Sequence, residues 1–427
     1  MIYVPAILIG RLVRALIRLV RPGGGSALPG LVLSKIAPGL LAKTLGSFNQ
    51  GLVVVTGSAG KSTTTKMLVA VVRAHGLKVF TNPSTANISQ GFYSSIVEQS
   101  DLQGRISGDV AILEMDEGHA AEISQTISPN QVTILNVLDD QLDRFVDPEL
   151  VRQKLQQVAQ KATGALILNA DDQNLLIINE SIKALDANHS LTTWFGISQA
   201  LISKSKVGLG NSPTYLEQIA RPDTQTQIKS QNGTAIEAQV GSESVSFSLP
   251  NRGLHFALDA AAALESSRRF LGTNFDPDLA AKTISELPPV FARGEITQVN
   301  GVEVEFILVQ NPMSFQLNLD NLPEDVEQLM VAIGRDVHDP SWLWTVDMSA
   351  LRKVDVVSGF NFAEIALRLA YEDVQINKIV PELEEAIQNF FDMPAPNKGR
   401  RVVIFSADAM RRTRRILGFV DPEQVSR

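Results

Sequence analysis

Between Gly51 and Thr65 an apolar run, Leu52 to Val55, leads into Gly57-Ser58-Ala59-Gly60-Lys61-Ser62 and then a row of hydroxyls, Thr63 to Thr65. This order reads as a buried strand, a glycine-bounded turn and the start of a helix. Backbone N–H groups in such a turn converge on phosphate, and the helix N-terminus adds positive potential. Gly57, Ser58, Ala59, Gly60, Lys61, Ser62 and Thr63 are therefore candidate ligands for ATP. Lys61 is expected at the terminal phosphates and the Ser62 hydroxyl on Mg²⁺. The standard phosphate loop, G-x-x-x-x-G-K-S/T, would need a glycine at Val55; here only Ser58 and Ala59 separate the two glycines.

Three more apolar runs end in polar clusters. Ala111 to Leu113 is followed by Glu114-Met115-Asp116-Glu117. Ligands of open parallel sheets collect at the carboxyl ends of strands. Glu114, emerging beside the phosphate turn, is suited to hold Mg²⁺ directly or through water; the plainer alternative is three solvated acids at a loop entrance. Asn136-Val137-Leu138-Asp139-Asp140-Gln141-Leu142-Asp143-Arg144 suits metal or substrate positioning, or helix capping by Asp140 and Asp143 with pairing to Arg144. Asn169, Asp171 and Asp172 offer amide and carboxylate groups to a base or ribose, or form a plain Asx turn.

These sites need elements to hold them. Candidate strands at Leu52–Thr56, Lys78–Thr81, Val110–Met115, Val132–Val137 and Ala165–Asn169 alternate with helical stretches such as Ser62–Ala74 and Pro148–Lys161, which predicts a parallel α/β sheet covered on both faces. A polar stretch, 202–241, reads as an irregular or small β insertion. A helix at His255–Leu271 and a linker near Pro288–Pro289 follow. Strands at Glu303–Val309, Gln328–Ile333, Val354–Ser358 and Arg401–Phe405, with helices at Phe362–Ala370 and Pro381–Phe391, then predict a smaller second α/β domain. The expected division is 1–48, a lead-in helix; 49–290, the nucleotide domain; and 291–427, the C-terminal domain.

The 427 residues fit two or three domains, and 44% hydrophobic with 20% charged residues is ordinary for a globular protein. A net charge of −8, from 46 acidic and 38 basic residues, disfavours a nucleic-acid binder. With no cysteine the chain can form no disulfide, thiolate nucleophile or Cys-based zinc site; cytoplasmic residence is compatible with this. Residues 2–20 are largely apolar, but Arg11, Arg14 and Arg18 recur at helical spacing, which argues against a membrane span. The segment reads as an amphipathic helix that packs on the protein or lies on a membrane surface; packing is favoured because most such helices face a core.

The phosphate turn, the segment Asn82-Pro83-Ser84-Thr85-Ala86-Asn87-Ile88, Glu114–Glu117 and Asp139–Arg144 occur in the order and rough spacing of the Mur ligase central domain. Farther on, Phe291-Ala292-Arg293-Gly294-Glu295 and Leu308 to Pro312 resemble the domain junction and first C-terminal strand of the MurT branch. The segment Asp336-Val337-His338-Asp339-Pro340-Ser341-Trp342-Leu343-Trp344-Thr345-Val346-Asp347 is similar to that branch's D-G-x-D-V-S-W-I-W-D-x-D signature. The resemblance covers the chain from its N-terminal helix to about residue 375.

The resemblance implies an α/β Mur ligase-like fold and an ATP- and Mg²⁺-dependent carbon–nitrogen ligase. Its expected substrate is the α-carboxylate of D-glutamate in the lipid II stem peptide, amidated to D-isoglutamine in peptidoglycan biosynthesis. Arg293 would be a second cation near the phosphates. Since a glutaminase needs a nucleophile, usually Cys, ammonia is expected from a separate GatD-like glutamine amidotransferase subunit. In the family an Asp of the synthetase orients the partner's catalytic His, which by motif is Asp339 here; the plainer alternative is a helix cap. A cytoplasmic protein at the inner face of the plasma membrane follows, with peripheral membrane contact left open. Departures from the pattern are the missing zinc-ribbon cysteines, Gln310 where Lys is usual, Phe256 and Asp259 where asparagines are usual, and Val337 and Pro340 in the Trp motif. Two alternatives stand beside this reading: a Mur-type ligase that joins an amino acid or other amine without a glutaminase, and a non-catalytic nucleotide-binding scaffold.

Overall fold

The computed structural model describes residues 3–20, 27–82, 88–138, 147–185, 192–205, 208–288 and 293–419. Two sheets organise them. The first contains β1 (Leu52–Thr56), β2 (Val79–Phe80), β3 (Val110–Glu114), β4 (Gln131–Ile134), β5 (Ala165–Asn169), β6 (Thr192–Ile197), β7 (Thr226–Asn232), β8 (Ala235–Val240) and β9 (Glu243–Ser248), in spatial order β2-β3-β1-β4-β5-β6-β7-β8-β9. Strands β1, β3 and β5 are buried at every position. Their unbroken apolar runs are what a parallel strand between two helical layers requires. The pairings from β2 through β7 are all parallel.

The expected strand through Val137 stops at Ile134. Beyond it the backbone leaves the ladder for loop partners: Val137 N donates to Asp172 and Leu138 N to Ser58 Oγ. In the polar stretch 202–241 the small β alternative is the one found. The stretch contains β7 and β8, which with β9 form an antiparallel meander extending the main sheet. Ile228, Ile236, Ala238, Val240, Val245 and Phe247 point inward and are buried; alternating polar residues on the outer face mask this pattern.

The second sheet holds β10 (Arg293–Val299), β11 (Val302–Leu308), β12 (Val326–Ala332), β13 (Lys353–Ser358), β14 (Gln375–Ile379) and β15 (Arg400–Phe405), ordered β10-β11-β15-β12-β13-β14. Only the β10–β11 hairpin is antiparallel. Two apolar layers cover its faces, one around Phe315 and Leu343, the other around Phe306, Phe390 and Phe405. The molecule is thus an α/β protein with a smaller C-terminal domain built on its own sheet.

The first helix, Val4–Val20, packs on the protein with Ala6 and Ile7 buried. Two of its arginines turn inward: Arg11 Nε donates to the Val97 carbonyl at 3.2 Å, and Arg14 pairs with Glu98. No described helix is long and apolar enough to cross a membrane.

Candidate active site

Strand β1 delivers the phosphate turn between β3 and β4, with Val55 in register with Glu114 and Thr56 with Ile134. Gly57 and Gly60 have φ of +126° and +84°, conformations open to glycine. Space also demands glycine at Gly60, where a Cβ would lie 2.1 Å from Asp259 Oδ1. Asn136, at the end of the β4 run, clamps the turn. Its Oδ1 accepts from Ala59 N at 2.9 Å, its Nδ2 donates to Ala59 O at 3.3 Å, and its carbonyl accepts from Ser58 N at 3.1 Å. Gly60 caps the helix Lys61–Ala74, so that helix N-terminus opens directly on the turn.

Two side chains converge where the resemblance expects a cation. Ser62 Oγ donates to Glu114 Oε1 at 3.0 Å. Glu114 is itself anchored, because Asn82 accepts from its N–H and donates to its carbonyl, each at 3.0 Å. The acids at the end of β3 and just beyond it are not solvated: Glu114, Asp116 and Glu117 are 3%, 8% and 2% exposed. Asp116 caps the next helix through Gly118 N. Glu117 lies 3.5 Å from the Lys61 ammonium, which also donates to the carbonyls of Gly57 and Ser58. Thr63 is buried in the first helical turn. A hydroxyl and a carboxylate oxygen in contact, both hard donors, fit Mg²⁺ completed by phosphate and water.

The cluster after β5 braces the site from behind. Asn169 is fully buried, donates to Leu135 O and accepts from Asp171 N. Asp171 accepts from Arg221 Nε at 2.6 Å and from Ile197 N at 2.7 Å. Asp172 is fully buried, accepting from Val137 N and Asn174 N, and burial pushes its carboxyl up to about 6. The side chains of Asn169 and Asp172, expected near a base or ribose, are both fully buried. Their polar groups join the loops after β4 and β5, and neither side chain reaches solvent. The Asx-turn alternative holds for Asn169.

Asp339 stands elsewhere, on the C-terminal sheet. It caps a short 3-10 helix, Pro340–Thr345, by accepting from Ser341 N at 3.0 Å, and it is exposed. The Ser341 hydroxyl and N–H hold its carboxyl below the usual range. Asp336 ties this loop down, accepting from Ser406 Oγ, Ala407 N and Asp408 N, while Asn361 donates to Gly334 O and Val337 O. Asp339 therefore rides on the carboxyl ends of β12, β13 and β15. Trp342 packs edge-on against Phe315, but Trp344 is 39% exposed and meets Tyr371 edge-on.

The run Asp139–Arg144 and the Arg293 side chain lie outside the described residues. Reading the sequence residue by residue passed over Asn82, Asn136 and Asp336 as supports. Each is a lone amide or acid at a strand end, and only its partner's position reveals its work. A cleft of about 1110 Å³ lined by Arg252, Leu254, Leu317 and Glu327 includes none of the phosphate-turn residues.

Sequence models of two protein families match this chain: the Mur ligase middle domain over residues 55–266 and the MurT ligase C-terminal domain over residues 308–407. A Streptococcus pneumoniae protein, the MurT subunit of lipid II isoglutaminyl synthase (glutamine-hydrolyzing), is 26% identical over 402 residues, spanning 84% of this chain and 85% of that protein. A Bordetella parapertussis UDP-N-acetylmuramoylalanine–D-glutamate ligase is 25% identical over 226 residues, 51% of this chain and 42% of that protein. Among solved structures, MurF from Acinetobacter baumannii superposes with a TM-score of 0.68 at 16% identity, covering 91% of this chain and 80% of that one. MurF from Thermotoga maritima in complex with ADP gives 0.62 at 18% identity, covering 91% and 83%. The chain belongs to the Mur ligase family, and within it to the MurT branch.

Proposed function

We propose that this chain is the ATP-dependent synthetase subunit of a lipid II isoglutaminyl synthase, acting with a GatD-like glutaminase. The observation that carries the reading is the Ser62–Glu114 contact at the mouth of a glycine-bounded phosphate turn. A carboxylate is a poor electrophile, and phosphorylation gives it a leaving group. The substrate carboxylate oxygen attacks the γ-phosphorus of ATP and ADP departs. Ammonia then attacks the acyl phosphate carbon, phosphate leaves, and the nitrogen loses a proton to give the amide. Lys61, now held by loop carbonyls and Glu117, can exchange those partners for the transferred phosphoryl. Backbone N–H groups of the turn and helix N-terminus cradle the remaining charge. Mg²⁺ held by Ser62 and Glu114 would supply further neutralisation of the phosphoryl oxygens.

The chain itself lacks cysteine, which supports an external ammonia source. Exposed Asp339 offers a carboxylate to a partner histidine, and an orienting carboxylate fixes an imidazole tautomer. The exposed Phe360, Trp344 and Tyr371 provide aromatic anchors of the kind interfaces favour. We assign residues 49–290 to nucleotide activation and 291–427 to partner docking, with Arg293 at their junction. Peripheral contact with the membrane that carries lipid II completes the reading.

Glutamine-dependent amidation of lipid II, measured with and without the cognate GatD-like protein, tests it. Amidation only with both proteins is expected. ATP binding without any amidation by the pair would overturn the substrate assignment.

A further inference from the structure

The first helix presents its apolar side outward. Leu8, Ile9, Leu12, Leu16 and Leu19 are 45–81% exposed, and they recur at the spacing of a single helix face. Arg11 and Arg14, which would ordinarily face solvent, are turned inward and held by Val97, Ser100 and Glu98. The helix packed beside it, Ala27–Ile36, adds Leu28, Leu31 and Ile36, each exposed. A contiguous apolar surface of this kind marks an interaction site.

Two observations select its occupant. The first is charge. Residues 1–48 contain six Lys or Arg, of which Arg11 and Arg14 are held inward, and no Asp or Glu, in a chain of net charge −8 whose first acidic residue is Glu98. Exposed Lys35 shares a helix face with Leu28 and Leu31, so its stem can lie along apolar surface while its ammonium meets a headgroup. The second is composition. Among the described side chains, the outward face of the first helix is aliphatic, without the Trp, Tyr and polar rim that protein interfaces use. An aliphatic face in a positive setting fits the boundary of an anionic bilayer.

We propose that helices Val4–Val20 and Ala27–Ile36 form an interfacial docking face that seats this protein on an anionic lipid surface. The ligase chemistry is not needed for this docking, so vesicles free of any lipid-linked precursor separate it from the proposed activity.

The test is flotation of the full chain with phosphatidylcholine vesicles, with and without phosphatidylglycerol. It is run beside a Leu12→Asp/Leu16→Asp variant and a Leu12→Ile/Leu16→Ile control, with thermal melting and nucleotide binding as checks on folding. The wild type and the isoleucine control are expected to float with anionic vesicles and less with neutral ones. The aspartate variant should lose roughly tenfold or more of its partitioning per leucine, with unchanged melting and nucleotide binding. No flotation of the wild type, or equal flotation of the folded aspartate variant, would overturn the proposal. So would a wild-type dimer that ignores vesicles and becomes monomeric in the aspartate variant, since a second copy would then be the occupant.

Discussion

The Ser62 hydroxyl donates to a carboxylate oxygen of Glu114 at 3.0 Å, across 52 residues of sequence. The first residue opens a helix, and the second ends the strand beside β1. Their contact places a hard-oxygen pair at the phosphate turn, next to the Lys61 ammonium.

Removing either charge at this point should stop turnover without unfolding the chain. Lys61→Ala and Glu114→Gln are each expected to lower kcat by about 10² to 10³. Steady-state amidation by the complex, with thermal melting as a folding control, checks this. Wild-type rates in a folded Lys61→Ala protein would favour the scaffold alternative.

Gly60 and Gly76 both have positive φ, but only Gly60 is crowded: a Cβ there meets Asp259 at 2.1 Å, and one at Gly76 meets nothing within 4 Å. Gly76→Ala should cost about 1–2 kcal/mol in urea unfolding and leave nucleotide affinity unchanged. Gly60→Ala must displace Asp259 or the turn, and should weaken nucleotide binding at least about tenfold, a loss of roughly 1.4 kcal/mol. Calorimetric titration with ADP separates the two.

Asp172 gives a pH signature. Its folded pKa is raised from 3.8 to about 6 by burial, so between those values the folded state holds a proton that the unfolded state has released. Its contribution to stability is therefore present below pH 4 and is lost as pH rises through 6. The loss is on the order of 2–3 kcal/mol for a shift of this size. Asp172→Asn should flatten this slope in urea titrations between pH 4 and 7, while weakening the acceptor for Val137 N.

Asp339 should separate ammonia supply from ammonia use. In the complex, Asp339→Asn is expected to abolish most glutamine-driven amidation and to spare amidation driven by added ammonium. Parallel assays with the two nitrogen sources decide, and equal loss of both would reduce Asp339 to a helix cap.

Much of this site can be read directly from the residues. A strand, two glycines, a lysine and a hydroxyl at fixed spacing are a local pattern, because the turn and helix N-terminus are made by consecutive backbone. Glu114 could be found for the same reason, as the polar end of an apolar strand. At Asn169, Asp171 and Asp172 residue type alone does not tell a carboxylate aimed at a ligand from one buried against Val137 N, and only the fold shows the latter contact for Asp172. The meander β7 to β9 was obscured by the polar outer face of its strands.

The sequence by itself determined the α/β alternation, the phosphate turn, the absence of a thiol nucleophile and the tryptophan motif of the MurT branch. Each depends on residue type and short-range spacing. Only the tertiary structure decided that Asn136 clamps Ala59, that Ser62 meets Glu114, and that Asp336 pins the loop bearing Asp339. It also turned the first helix so that Arg11 and Arg14 face the protein and Leu8, Leu12, Leu16 and Leu19 face out. The physical reason is the same throughout. Periodicity identifies the two faces of an element, but which face is buried depends on partners such as Val97 and Glu98, contributed by chain remote in sequence.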